Sequence, residues 1–310
     1  MPADPARPPI DARAPASHSV RGRRAGRSTP RWEDFLKAPR FAYLRVSSLA
    51  QVFDAFAEHG EEARILAGGQ SLVPALNMRL AEPRLLIDIN PIAALAGIER
   101  RESVLRIGAL ARHSEVGASP LVAELAPLIH QAVPHIAHPA IRNRGSFGGS
   151  LAQADPAAEL PACVVALDAV LHLASRRGER RVAARDFFRG PYETALAPDE
   201  VIAAVDIPVA PKGARSVFLE LARRRGDYAL AGLAAEARED GLRLVFFGVG
   251  GRPVEAGAAA SALAARDIAA AQAALARDLD PPGDLQADGA TKLHLARVLL
   301  GRAARALAAA

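Results

Sequence analysis

Two glycine pairs stand where this sequence could do chemistry. The first lies in Ala67-Gly68-Gly69-Gln70-Ser71-Leu72, where an apolar run, Ala63–Ala67, passes through adjacent glycines into a helix-like segment. A backbone without Cβ can approach a ligand closely, and unpaired N–H groups at a helix start attract an anion. Ser71 adds a hydroxyl. The spacing is neither the dinucleotide fingerprint G-x-G-x-x-G nor a P-loop, since no lysine follows. Read alone, the segment is equally a tight strand-to-helix turn. The second segment, from Arg144 to Pro156, repeats the logic with Gly145, Ser146, Phe147, Gly148, Gly149 and Ser150. Two anion-competent segments can hold the two phosphates of one diphosphate from opposite sides, which is more specific than either alone. Asp155 reads as the N-cap of the next helix, with Pro156 at its first position and Glu159 in its first turn.

Other reactive residues carry blander readings. His135 and His138 are spaced i, i+3, but no third ligand is near and Pro139 follows, so loop packing is expected rather than a metal. His113 with Glu115 reads as a helix start. Gly248-Val249-Gly250-Gly251 has Pro253 where the third fingerprint glycine would stand, which argues against a second nucleotide site. Cys163, the one cysteine, is expected to be a buried, inert thiol. A single cysteine excludes a disulfide framework, a cysteine-built zinc site and an iron–sulfur cluster held by this chain alone.

The elements that must position these segments follow from periodicity. Phe41 to Ile92 reads as a βαβ unit: a Ser48-capped helix over Leu49–His59 ended by Gly60, a strand at Ala63–Ala67, a helix over Leu72–Leu80 and a strand at Arg84–Ile89. A strand at Val104–Gly108, a helix near Ser114–Ala118 and a long helix over Val122–Val133 come next. A helix over Ala157–Leu167 and strands at Ala169–Ala174 and Val201–Ile207 complete this part, and Pro208, Pro211 and Gly213 mark a boundary. Beyond it the pattern predicts strands at Ser216–Arg223 and Leu242–Val249, a helical connection over Asp227–Ala237, and alanine-rich helices over Ala258–Leu279 and Ala290–Ala309.

The 310 residues are half apolar and 24% charged, with a net charge of +5. Residues 1–40 hold nine of the 39 basic and four of the 34 acidic residues, so positions 41–310 are balanced at 30 of each. A folded nucleic-acid-binding surface is therefore not expected. Residues 1–31 hold almost no large apolar side chains and read as a disordered tail. Arg23-Arg24 is not followed by the apolar stretch that an export signal needs, and no apolar run reaches about 18 residues, so a cytoplasmic chain without membrane insertion is expected.

Three ordered motifs resemble those of the FAD-binding medium subunits of molybdenum hydroxylases, of the carbon monoxide dehydrogenase and xanthine dehydrogenase type. Ala67 to Pro74, with Arg79 and Asp88-Ile89-Asn90, is similar to the family's first flavin loop. Ile141 to Ser150, continued to Ala154-Asp155-Pro156, is similar to the second. Arg224-Arg225-Gly226-Asp227-Tyr228-Ala229 is similar to the third, beside the flavin ring. Ser146 stands where threonine is usual and keeps the hydroxyl, while Gln153 stands where histidine is frequent.

The resemblance implies a mixed α+β (α/β) chain with the PCMH-type FAD-binding fold. Residues 1–37 would be a tail, 38–211 the FAD-binding part in lobes of about 38–92 and 93–211, and 212–310 a C-terminal domain with a small antiparallel sheet and helices. It implies FAD held by Ala67, Gly68, Gly69, Gln70, Ser71, Leu72, Ser146, Phe147, Gly148, Gly149, Ser150, Asp155, Glu159 and Tyr228, with no catalytic acid, base or nucleophile. The partners implied are a molybdopterin-binding large subunit and a [2Fe-2S] small subunit, in a dimer of heterotrimers, with electrons passing through FAD to an outside acceptor. A stand-alone FAD-dependent reductase or oxidase, and a scaffold subunit without FAD, are the alternatives.

Overall fold

Short alternating elements from Ala42 to Asp88 close a parallel three-stranded sheet in the order β1-β3-β2, in a computed structural model that describes residues 38–309. The expectations placed on residues 1–37 lie outside the described residues. Strand β1 (Ala42–Arg45) leads to α1 (Leu49–His59), which buries Val52, Ala55 and Phe56 and is capped by Ser48 accepting from Gln51 N. Then come β2 (Ala63–Leu66), α2 (Leu72–Asn77) and β3 (Leu85–Asp88). Both flanking strands pair with β3 in parallel register, so the C-terminal ends of all three open on the same side.

The next part is a five-stranded antiparallel sheet wrapped by short helices. Its strands are β4 (Ile98–Arg101), β5 (Val104–Gly108), β6 (Val170–Ser175), β7 (Gly178–Ala183) and β10 (Val201–Pro208), in the order β4-β5-β10-β6-β7. Helices α3 (His113–Ala118), α4 (Pro120–Leu125), α5 (Pro127–Ala132), α6 (Pro139–Arg142), α7 (Phe147–Gln153) and α8 (Glu159–Ala166) fill the crossover. The short α9 (Ala184–Phe187) precedes a two-stranded ribbon, β8 (Phe188–Gly190) with β9 (Glu193–Thr194). The long helix expected over Val122–Val133 is broken into α4 and α5. Pro127 has no N–H to offer and excludes helical geometry from Ala126, which sits at φ −143°, ψ 61°.

The last part is a four-stranded sheet of β11 (Arg215–Leu221), β12 (Ala231–Arg238), β13 (Gly241–Phe247) and β14 (Val254–Glu255), with α10 (Gly257–Ala264), α11 (Ile268–Asp278) and α12 (Gly289–Ala309). The helical connection expected over Asp227–Ala237 is instead strand β12, the centre of this sheet. One sheet face sends Phe218, Ala234, Val245 and Phe247 into the core of the preceding part, and the other packs Leu233, Ala235, Leu244 and Phe246 under the helices. A strand covered on both faces loses its polar alternation, and an alanine-rich stretch then looks helical. Gly232 is required there because the Phe247 ring occupies the space its Cβ would fill.

Candidate functional site

The end of β2 releases the first glycine segment at the open side of the parallel sheet. Gly69 sits at φ +73°, a backbone conformation that favours glycine. Gly68 is not at positive φ and is needed for space, because a Cβ there would overlap Arg144 O and come within 2.9 Å of Gly145 Cα. The carbonyls of Gly69 and Ser71 accept from Val73 N (3.0 Å) and Ala75 N (3.1 Å), so they are turned into α2. By contrast, the main-chain N–H groups of Gly68, Gly69, Gln70, Ser71 and Leu72 meet no acceptor among the described residues. The Gln70 amide donates to Gly68 O at 3.1 Å and braces the turn, and the Ser71 hydroxyl caps nothing. Five successive donors with no acceptor among the described residues can receive an anion.

The second glycine segment is built differently. It is not a turn but the first turn of α7, capped by Ser146, whose Oγ accepts from Gly149 N at 3.3 Å. Phe147 N and Gly148 N are already paired with Ala111 O and Ala109 O, both at 2.8 Å. The Phe147 ring is fully buried, and Gly148 lies against Ala109, whose Cα would be 2.8 Å from an added Cβ. These two residues dock α7 on the end of β5 and face away from the cleft. What the segment presents to the cleft is Gly145, Ser146, Gly149 and Ser150.

Between the two segments runs a cleft of about 610 Å³. The structure brings Ala67 to Leu72, Ser146, Gly149, Ser150, Asp155, Glu159 and Tyr228 to its walls, and leaves Phe147 and Gly148 outside them. Asp155 caps a turn rather than a helix. Its Oδ1 accepts from Ala157 N at 2.9 Å, its Oδ2 from the Tyr192 hydroxyl at 3.2 Å, and α8 starts only at Glu159. Tyr228 lies in the loop between β11 and β12, 63% exposed, at the same end of the cleft. Burial, helped by the Asp155 charge, pushes the Glu159 carboxyl up to about 7, and burial beside these two acids raises the Tyr228 phenol. That end of the cleft therefore offers a carboxyl able to hold or release a proton near neutral pH.

His113, read from sequence as a helix start, is also a cleft residue. Its Nε2 lies 3.0 Å from Ser146 O, so Nε2 carries the proton and donates, and Nδ1 has no partner among the described residues. Burial next to Arg112 and Arg142 holds the ring neutral, with its pKa down to about 4. An antiparallel bridge between Arg112 and Ser146 brings it there, a contact across 33 residues with no local sequence signal.

The remaining candidates fall away. Among the described residues there is no cluster of His, Cys, Asp or Glu that could hold a metal, and His135 packs against Phe218 with ring centroids 5.1 Å apart. Cys163 is buried, and its thiol is pushed up by that burial. Gly248 accepts from the buried Lys292 ammonium at 2.8 Å and lines no part of the cleft. No helix among the described residues is long and apolar enough to cross a membrane.

Residues 39–210 match the family model described as the FAD binding domain in molybdopterin dehydrogenase. The chain belongs to this family. It is 37% identical over 278 residues to the alpha subunit of the 6-hydroxypseudooxynicotine dehydrogenase complex of Paenarthrobacter nicotinovorans, covering 86% of this chain and 94% of that one. To the carbon monoxide dehydrogenase medium chain of Hydrogenophaga pseudoflava it is 35% identical over 281 residues, 86% and 97% of the two chains. Among solved structures, that carbon monoxide dehydrogenase superposes with a TM-score of 0.84 at 34% identity, over 88% of this chain and 98% of the other. Quinoline 2-oxidoreductase of Pseudomonas putida 86 superposes at 0.83 and 35% identity, over 88% and 99%.

The fold is thus the mixed α+β, PCMH-type one of the family, and its cofactor is FAD. The residues present fit that group. Five N–H donors with no acceptor among the described residues belong to a segment that lines the cleft, and the cradle at Gly68 is one a Cβ would fill. The family is one of oxidoreductase subunits.

Proposed function

We propose that this chain is the electron-carrying subunit of a molybdenum hydroxylase complex, taking electrons from iron–sulfur clusters on a partner chain and passing them to an external acceptor. The observation that carries the reading is the row of free N–H groups from Gly68 to Leu72, opening into a cleft whose far end holds Asp155, Glu159 and Tyr228. Flavin, when bound, supplies the ability to take up and release electrons one or two at a time. The chain's own residues bind and tune. Gly68 to Leu72 hold the anionic diphosphate by main-chain N–H groups, and the Ser146 and Ser150 hydroxyls close on it from the other side. Tyr228 covers one face of the ring end, and Glu159 with Asp155 sets the local charge. These roles belong to residues 38–211 in two lobes, with residues 212–310 closing the ring end through Tyr228.

The single buried cysteine supports clusters being held on another chain. Relatives named as a complex subunit and a medium chain support partners, which we take to be a molybdopterin-binding large subunit and a [2Fe-2S] small subunit in a dimer of heterotrimers. Expression with and without candidate large- and small-subunit chains tests this. Yellow protein with flavin absorbance that co-purifies with both partners, and whose flavin is reduced through them, is the expected result. Colourless protein points to the scaffold reading, and a yellow chain that turns over alone points to the stand-alone reductase or oxidase.

A further inference from the structure

Behind the first glycine segment lies a second cavity of about 410 Å³, walled by Tyr43, Asp88, Asn90 and Arg144 and by the rear of the Gly68-Gly69-Gln70 turn. Its polar groups form one continuous chain of hydrogen bonds. Asn90 Nδ2 donates to Ala67 O at 2.9 Å and to Asp88 Oδ1. Asp88 also accepts from Asn90 N at 3.0 Å and from the Tyr43 hydroxyl, which holds Asn90 in one orientation and keeps the Asp88 carboxyl below its usual range. Asn90 Oδ1 accepts from Arg112 Nη2, and Nη1 of the same guanidinium donates to Arg144 O. Arg112 is itself fixed by its N–H on Glu115 Oε2 at 2.7 Å.

Ala67 opens the first glycine segment, and Arg144 immediately precedes Gly145 in the second. One planar amide and one planar guanidinium therefore span the two segments at the point where Gly68 abuts Arg144 O. Neither side chain lines the cleft. A guanidinium fork imposes distance and plane together, which a flexible ammonium cannot do. The chain also engages the carbonyls of Ala67 and Arg144, whose negative ends would otherwise be free beside an anion.

We propose that Asn90 and Arg112 are positioning residues, a clasp that sets the separation of the two segments and so organises the Gly68–Leu72 donors for the diphosphate. The proposal rests on the reading of the cleft as the FAD site and adds to it residues that do not line the cleft. In the full-length protein, Arg112→Met is expected to speed FAD dissociation and weaken affinity about 10- to 100-fold. Arg112→Lys keeps the charge but not the fork and should remain at least about 5-fold weaker than wild type. Asn90→Ala combined with Arg112→Met should bind no more weakly than Arg112→Met alone, because both break the same connection.

Amide hydrogen exchange without added FAD gives a readout independent of the cofactor. Val73 and Ala75, whose N–H groups are bonded to Gly69 O and Ser71 O, and residues 144–149 should exchange faster in Arg112→Met, while α12 is unchanged. Full affinity in Arg112→Lys reduces Arg112 to a charge and overturns the clasp. Additive effects in the double variant, or unaltered exchange of the two segments, overturn it equally. A wild-type protein that binds no FAD would instead overturn the cleft reading, and the exchange experiment would still decide the clasp.

Discussion

A methyl group placed on Gly68 tests how closely the two segments must meet. In Gly68→Ala the new Cβ overlaps Arg144 O and lies 2.9 Å from Gly145 Cα and 3.1 Å from Arg144 C. All three neighbours are main chain, so no side chain can rotate out of the way. Restoring ordinary contact at 3.4 Å with the nearest neighbour, Arg144 O, requires the second segment to retreat from the first by about 1 Å. A shift of that size misaligns N–H donors whose bonds to a charged oxygen contribute about 1.5–3 kcal/mol each. Losing the equivalent of one such bond lowers FAD affinity about 10- to 150-fold. The backbone at Gly68 is not at positive φ, so the unliganded fold should tolerate the change far better than the cofactor does. Titration of flavin-free protein with FAD, followed by quenching of flavin fluorescence, reads the affinity, and a melting curve of the same protein reads the fold. Gly149→Ala is the comparison, because its Cβ meets the Ser146 side-chain oxygen, a group that can move, and its loss should stay within about tenfold. Wild-type affinity in folded Gly68→Ala would refute the close approach as the basis of binding.

Four further outcomes follow from the same geometry. His113 binds its proton at about 4 when folded and at 6.5 when unfolded, so the native state loses about 3 kcal/mol as pH falls from 6.5 to 4. In His113→Asn the melting temperature should fall less steeply over that interval, and an unchanged slope would count against the buried neutral ring. Glu159, and Glu220 on β11, are raised from 4.5 to about 7 and about 8, chiefly by burial, so each favours the folded state below 4.5 and loses that contribution as pH rises from there through those values. Glu159→Gln and Glu220→Gln should therefore flatten the loss of melting temperature between about pH 4.5 and pH 8, and a loss as steep as wild type's would show that neither carboxyl is held protonated. Tyr228→Ala should leave the melting temperature and FAD affinity nearly unchanged, since the side chain is 63% exposed, but shift the flavin potential or the acceptor rate; a lowered melting temperature with unaltered potential would make Tyr228 structural.

Local sequence determined a good deal here. The Ser48 cap, the stripe of Val52, Ala55 and Phe56, and Gly60 fix α1 without help from the rest of the chain. The Gly68-Gly69 turn between an apolar strand and a helix start is legible for the same reason, because its donors and its positive φ are set by neighbouring residues. Asp227–Ala237 was not legible. Alanine favours a helix locally, and only burial of both faces between the core and the terminal helices makes Ala231–Arg238 a strand. The second glycine segment shows the same division. Its residue types suggest a loop of free donors, yet pairing of Phe147 N and Gly148 N with Ala111 O and Ala109 O spends those donors on docking α7. His113, Asn90 and Arg112 reach the site only through contacts across 22 to 33 residues, and such contacts leave no periodic trace in the chain. The sequence therefore determined which ligand chemistry the cleft could serve, and the tertiary structure decided which groups remain unpaired to serve it, because a donor is available only when no other part of the fold has taken it.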